Sequence, residues 1–228
     1  MTLRASHEAG KVGTRNSAMP GTDYSTSTAQ CVTGSKLVDV EGSVCHGCYA
    51  KKSELMYTSV RQGWADNYMK ATRMIAEMPE KWAQAMAFQI NWHAKKYGNY
   101  HRWFAAGDLP NVATLRAIVR VCELTPTIRH WLPTREAGML RAWEKAGGKR
   151  PSNLVIRLSS TMIGDAPRKY AHTSTVHYAG TFDAARQQND CPKANGTHKS
   201  HACDDDEHGS CRQCWDETVG NVSYQFHR

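Results

Sequence analysis

The sequence predicts an α/β chain built on a parallel sheet, with a cysteine-rich extension at its C-terminal end. Two observations predict it. Between His101 and Leu158, short apolar runs of strand character alternate with segments of helical period. Strands alternating with helices imply parallel pairing through right-handed crossovers. After Asp190 that rhythm stops, and Cys191, Cys203, Cys211 and Cys214 fall in a stretch of little periodicity.

Taken in order, residues 1–30 are rich in Gly, Ser and Thr and read as a loop-rich N-terminal arm. Lys36-Leu37-Val38-Asp39-Val40 is the first strand candidate, and Cys45 to Lys52 a turn. Val60, Trp64, Tyr68, Ala71 and Ile75 share one helical face. After Pro79, Trp82, Met86, Ile90 and His93 share another, with the proline suited to the first helical turn. These aromatic and methionine stripes are core positions. His101 to Ala105 is a strand ending in Gly107-Asp108, followed by a helix through Val112, Leu115, Val119 and Cys122. Ile128 to Leu132 is a strand ending in Pro133-Thr134-Arg135. Gly138 to Ala146 is a helix stopped by Gly147-Gly148. Leu154 to Leu158 is a strand ending in Ser159-Ser160-Thr161, and Val176 to Ala179 offers a fourth in this series. Val222, Tyr224 and Phe226 alternate with polar residues as a final strand. The organisation expected is an arm at 1–30, an α/β body at 31–186 and an extension at 187–228. Small polar and charged residues follow each strand, at the edge where parallel sheets place their sites.

At 228 residues, 40% hydrophobic and 22% charged, the chain has material for one sizeable core and a small appendage. No run of eighteen apolar residues is present, so no membrane span is expected. Met1 to Gly21 is polar and lacks a secretory h-region, which points to the cytoplasm. The net charge of +8 is uneven: Asp190 to Arg228 carries −3 and the rest +11. A basic body suits nucleic acid or an anionic cofactor, although charges this scattered also serve solubility.

The eight cysteines in a chain without an export signal suggest metal binding rather than a disulfide framework. Thirteen residues separate Cys31 from Cys45, and two separate Cys45 from Cys48. Three thiolates are one short of a closed zinc site, but they suffice for a [4Fe–4S] cluster with one open iron. His46 lies between the close pair, where its ring tends to point away from their shared ligand. In the tail, eleven, seven and two residues separate Cys191, Cys203, Cys211 and Cys214. Four cysteines suit a closed iron–sulfur or zinc site, with His198, His201 and His208 as substitute ligands. The Asp204-Asp205-Asp206-Glu207 run reads as a solvated acidic turn. Cys122 sits alone at a core-facing position. The two groups form two sites, or one shared site if the final strand returns the tail beside Cys48.

Cys45-His46-Gly47-Cys48-Tyr49-Ala50 resembles the Cys-x-x-Cys-Tyr-Ala element of several radical S-adenosylmethionine (SAM) families and their phage-encoded relatives. A longer pattern resembles the phage gene product 88 family. It comprises Gly34-Ser35-Lys36-Leu37, Gly42-Ser43-Val44, the Cys45 to Ala50 element, Ala106-Gly107-Asp108 and Leu132-Pro133-Thr134-Arg135. It also takes in Cys191-Pro192, Cys211-Arg212-Gln213-Cys214-Trp215-Asp216 and Asn221-Val222-Ser223-Tyr224. The resemblance implies a partial (β/α) barrel of radical-SAM type. In it, Cys31, Cys45 and Cys48 hold the cluster and Gly107 and Asp108 meet the SAM amino group. The tail then resembles an auxiliary-cluster extension. Radical SAM loops usually set their first two cysteines only a few residues apart, so the longer interval here, with a strand expected inside it, implies a differently built loop.

Three functions follow as expectations. The first is a radical-SAM-like enzyme with Asp108, Arg135 and Ser159 lining its cavity. The second is a non-catalytic iron–sulfur module whose basic body binds nucleic acid or a host protein. The third is a zinc-stabilised binding protein. No motif specifies a substrate.

Overall fold

The computed structural model describes residues 1–14, 20–192, 203 and 211–226. Seven parallel strands form one sheet: β1 (Thr22–Tyr24), β2 (Tyr100–Trp103), β3 (Arg129–Thr134), β4 (Leu154–Ser159), β5 (Thr173–His177), β6 (Asn189–Asp190) and β7 (Asn221–Gln225). Their order is β1-β2-β3-β4-β5-β7-β6. The helices are α1 (Leu3–Ser6), α2 (Val32–Leu37), α3 (Tyr49–Met56), α4 (Thr58–Glu77), α5 (Pro79–Tyr97), α6 (Val112–Leu124), α7 (Ala137–Lys145) and α8 (Ala184–Gln187). The expected α/β architecture with parallel pairing is present.

Each of the first four strands lies beside its successor, so the winding does not reverse from β1 to β5. Right-handed crossovers that keep stepping one way place their helices on one face. The side chains agree. Trp103, Leu132, Leu154, Ile156 and Leu158 share one buried cluster with Ala71, Trp82, Leu115 and Leu140 of the long helices. Trp131 points the opposite way, into a second cluster with Cys191, Cys214, Trp215 and Val222. Alternation along β3 therefore divides the molecule into a helix-covered face and a tail-covered face.

The local chemistry accounts for the elements. Pro79 opens α5, where its missing N–H costs nothing. Asn111 caps α6 by accepting from the Thr114 N–H at 2.8 Å. Pro133 is tolerated inside β3 because pairing with β2 has ended by Trp131.

Two expectations need correction. Lys36 to Val40 is not a strand: α2 runs to Leu37, and a turn follows. Val40 is 41% exposed, so its apolar side chain has no sheet face to pack on. The first strand is instead Thr22–Tyr24, inside the stretch read as a loop-rich arm. That arm is tied down by two buried amides. Gln89 donates to the Ser6 and Gly10 carbonyls and accepts from the Val12 N–H. Asn67 donates to the Lys11 and Ser25 carbonyls and accepts from the Lys11 N–H. The fourth expected strand begins earlier, at Thr173, and the short β6 was not foreseen.

Candidate metal centres

All three cysteines of the first group lie on one segment, between β1 and α3, with a helix rather than a strand between Cys31 and Cys45. Hydrogen bonds carry this segment across the C-terminal edge of the sheet. It leaves β1 beside the end of β2, where the Thr26 N–H donates to the Ala106 carbonyl at 3.0 Å. Past Cys31, Thr33 donates its N–H and hydroxyl to the Glu136 carboxylate, just beyond β3, at 2.8 and 2.9 Å. Val44 then donates to the Thr161 carbonyl, beyond β4, at 2.9 Å. After Cys48, the Tyr49 hydroxyl returns to the Ala105 carbonyl beyond β2, at 2.8 Å. Glu54 of α3 closes the circuit by accepting from the Thr28 N–H and hydroxyl.

This path brings the three sulfurs toward one another. A Cβ at Gly34 would stand 3.5 Å from Cys45 Sγ and 3.7 Å from Cys31 Sγ, so the glycine leaves the space between them open. Burial pushes the Cys31 thiol up to about 12, with the Asp108 carboxylate and the Cys48 and Cys45 thiols adding to it and Arg135 opposing. Cys45 is raised for the same first reason, against the pull of Arg135. Thiols raised in this way stay protonated at neutral pH until a metal's positive charge draws the protons off. Arg135 supplies a fixed cation beside them.

The other expected site residues divide. Asp108 is buried, and its carboxylate is already engaged. It accepts from the Thr134 hydroxyl at 2.6 Å, the Leu109 N–H at 2.7 Å and the Arg135 N–H at 3.0 Å. It braces the ends of β2 and β3 against each other. Gly107 has φ +82°, and a Cβ there would stand 2.3 Å from Thr26 Oγ1, so its requirement is one of space. Ser159 accepts a hydrogen bond from the Ser174 hydroxyl at 2.9 Å. Its neighbour Ser160 is the buried hydroxyl without a partner among the described residues, as is Arg135 Nε. The His46 ring meets the Val38 carbonyl through Nδ1 at 3.2 Å. Glu136 and Glu54, which hold the cysteine segment, were missed. Glu136 follows Arg135 at a strand end, which is a faint signal, and Glu54 carries none.

In the tail, Cys191 and Cys214 are buried and Cys203 and Cys211 half-buried. Burial pushes the Cys214 thiol up to about 12, the Tyr224 hydroxyl lowers it, and Cys191 and Cys203 add to the rise. Those three are therefore neighbours, and Cys211 begins the turn that ends in Cys214. His198, His201, His208 and the acidic run lie outside the described residues. Cys122 is a fully buried core thiol. Among the described residues, no group of three or more His, Cys, Asp or Glu side chains is arranged to hold a metal ion. A zinc–sulfur bond of about 2.3 Å gathers ligands tightly round one centre, whereas thiolates on a cluster each bind a separate iron. The sulfurs of Cys31 and Cys45 both border the space beside Gly34, and Cys48 lies near enough to act on both thiols.

The gene product 88 family model matches residues 8–217, from the docked arm to the tail. The chain belongs to the gene product 88 family. No curated protein and no solved structure matches it significantly. The gene product 88 match thus takes in both cysteine groups and the sheet from β1 to β6. No helix among the described residues is long and apolar enough to cross a membrane.

Proposed function

We propose that this gene product 88 family protein is an iron–sulfur protein in which Cys31, Cys45 and Cys48 hold a [4Fe–4S] cluster with one iron open to SAM. The observation that carries the reading is that all three cysteines come from the segment following β1, looped over the C-terminal edge of a parallel sheet that winds in one direction. One-way winding is the pattern of a partial barrel, and that edge is where such folds place their chemistry. With a helix inside the long interval between Cys31 and Cys45, the segment remains a single loop excursion. His46 meets the Val38 carbonyl through Nδ1, and the reading with an open iron rests on three thiolates being one short of a closed tetrahedral site.

When bound, the cluster supplies one electron to SAM and so opens radical chemistry on a substrate. The chain's own residues bind and orient. Arg135 presents a cation beside the thiolates, and Asp108 fixes the Arg135 backbone. The Ser160 hydroxyl, beyond β4, and Arg135 Nε, beyond β3, are two of the buried donors without a partner among the described residues and are available to a ligand. The tail cysteines form a closed structural centre of iron–sulfur or zinc type.

One observation favours a non-catalytic iron–sulfur or zinc module, with the basic body on nucleic acid or a host protein: Asp108, the residue expected to meet SAM, is already satisfied by protein donors. Adding SAM to the reduced protein separates the readings. The enzyme reading expects a changed cluster electron paramagnetic resonance signal and formation of 5′-deoxyadenosine. A signal indifferent to SAM, with no deoxyadenosine, leaves the non-catalytic module.

A further inference from the structure

Arg157 stands in β4 on the tail-covered face and is fully buried. Its guanidinium donates to six backbone carbonyls. Nε reaches Cys214 at 3.1 Å, and one terminal nitrogen reaches Gln213 at 2.6 Å and Asp216 at 2.9 Å. The other reaches Val219 at 3.0 Å, Thr173 at 3.3 Å and Gly220 at 3.5 Å. It makes no carboxylate ion pair among the described residues. The Asp216 carboxylate acts on it only from beyond ion-pair range, so carbonyl dipoles satisfy its N–H groups while its charge is only partly offset, and a buried cation so placed is costly.

The side chains gathered with it are rich in donors as well. The Tyr224 hydroxyl lies 3.1 Å from Cys214 Sγ. Trp131, in the same apolar cluster as Cys191 and Cys214, has a buried indole N–H without an acceptor among the described residues. A charge, an O–H and an N–H therefore surround a group of thiols. What the group lacks is a full negative charge beside the guanidinium, and thiolates sharing a metal supply it, since four thiolates on one divalent ion leave a net negative centre. With Cys214 ionised, only the Tyr224 O–H can donate in that contact. Hydrogen bonds to ligating sulfur and nearby charge are the means by which a protein tunes such a centre.

We propose that Arg157 and Tyr224 are the charge-compensating and hydrogen-bonding residues of an anionic metal–thiolate centre formed by Cys191, Cys203, Cys211 and Cys214. Arg157 does two things at once. Its bonds to residues 213, 214 and 216 shape the turn that carries Cys214, and its charge stabilises the thiolates over the thiols. Tyr224 withdraws electron density from the Cys214 sulfur. The proposal rests on reading the tail cysteines as a metal centre, and the experiment separates the two.

The test uses the full chain with Cys31, Cys45 and Cys48 replaced by Ser, so that only the tail binds, and titrates it with cobalt(II). The parent should take up one equivalent and develop sulfur-to-cobalt charge-transfer absorption. In Tyr224→Phe the stoichiometry should hold while that band moves to longer wavelength, because a sulfur without its hydrogen bond gives up electrons more easily. Arg157→Met should weaken cobalt binding at least tenfold, and Arg157→Lys should recover most of the loss. A parent without a thiolate band overturns the metal-centre reading and the proposal with it. A normal parent band, unmoved in Tyr224→Phe, overturns the proposal alone. Arg157→Lys as weak as Arg157→Met reduces Arg157 to a backbone brace and overturns its charge role.

Discussion

At the scale of single residues, Gly107 separates a packing requirement from a ligand-binding one. Its φ of +82° and the 2.3 Å approach to Thr26 Oγ1 leave no place for a Cβ. Gly107→Ala should cost roughly 2–4 kcal/mol in urea unfolding, combining backbone strain with overpacking. Gly47, at φ +71° with nothing within 4 Å of its would-be Cβ, should cost only about 1 kcal/mol on the same change. Equal losses at the two positions would contradict the contact. His101 and His130 make a second residue-scale prediction. Both are fully buried, their ring centres 5.5 Å apart. Burial, then the charge of His130, holds His101 well below the ordinary imidazole range, and burial takes His130 down to about 3. The folded rings stay neutral while the unfolded chain takes up protons below about pH 6.5. Stability should be full above that pH and fall as pH drops toward about 3, by up to about 1.4 kcal/mol per unit for each ring. Urea midpoints at pH 7 and pH 5 check this, and His130→Gln should shrink the gap between them. Equal midpoints in the native protein would rule it out.

At the scale of elements, the segment between β1 and α3 is held by a few long-range contacts. Glu136→Ala strips the acceptors from the Thr33 N–H and hydroxyl, at a cost of about 1–3 kcal/mol. Hydrogen exchange should accelerate from Cys31 through Val44 and stay slow in β3 and β4. Uniform protection would show that Glu136 does not anchor the segment. This region also marks where the sequence could be read and where it could not. The helices from Val60 to Ile75 and from Trp82 to Ile90 repeat their apolar positions over several turns, and β4 is mostly apolar and, like β3, sits between turn signals, so local pattern suffices. Thr22–Tyr24 is three residues long, too short for any period. Lys36 to Val40 has the alternation of a strand, yet tertiary contacts make its first part helix. The pairing of Thr33 with Glu136 spans 103 residues and leaves no trace in local composition. Spacing alone groups the cysteines, and the structure sets the Cys31 and Cys45 sulfurs both beside Gly34. Arg157, Glu54 and Glu136 were not legible, because their roles exist only once the sheet has formed.

At the scale of the whole molecule, two faces of one sheet do different work. The helix-covered face carries the continuous apolar core and should fold without metal. The tail-covered face is closed by a small cluster around Trp131, Trp215 and Val222, too little to order the cysteine-bearing loop by itself. Cys214→Ser should therefore release tail metal and expose the residues after Asp190 to protease, while far-ultraviolet circular dichroism stays near native. A variant with full metal content and an intact tail would contradict this. Cys31, Cys45 and Cys48 are proposed to hold an iron–sulfur cluster at the C-terminal edge of the sheet. Iron, sulfide and zinc analysis, with visible absorption, of protein purified without oxygen tests this beside the variant with Ser at positions 31, 45 and 48. The native protein should be brown with iron and sulfide in cluster proportion, and the variant should fold, lack that cluster's iron and sulfide, and keep any metal bound by the tail. A colourless native protein carrying stoichiometric zinc, or a variant whose iron and sulfide are undiminished, would contradict it.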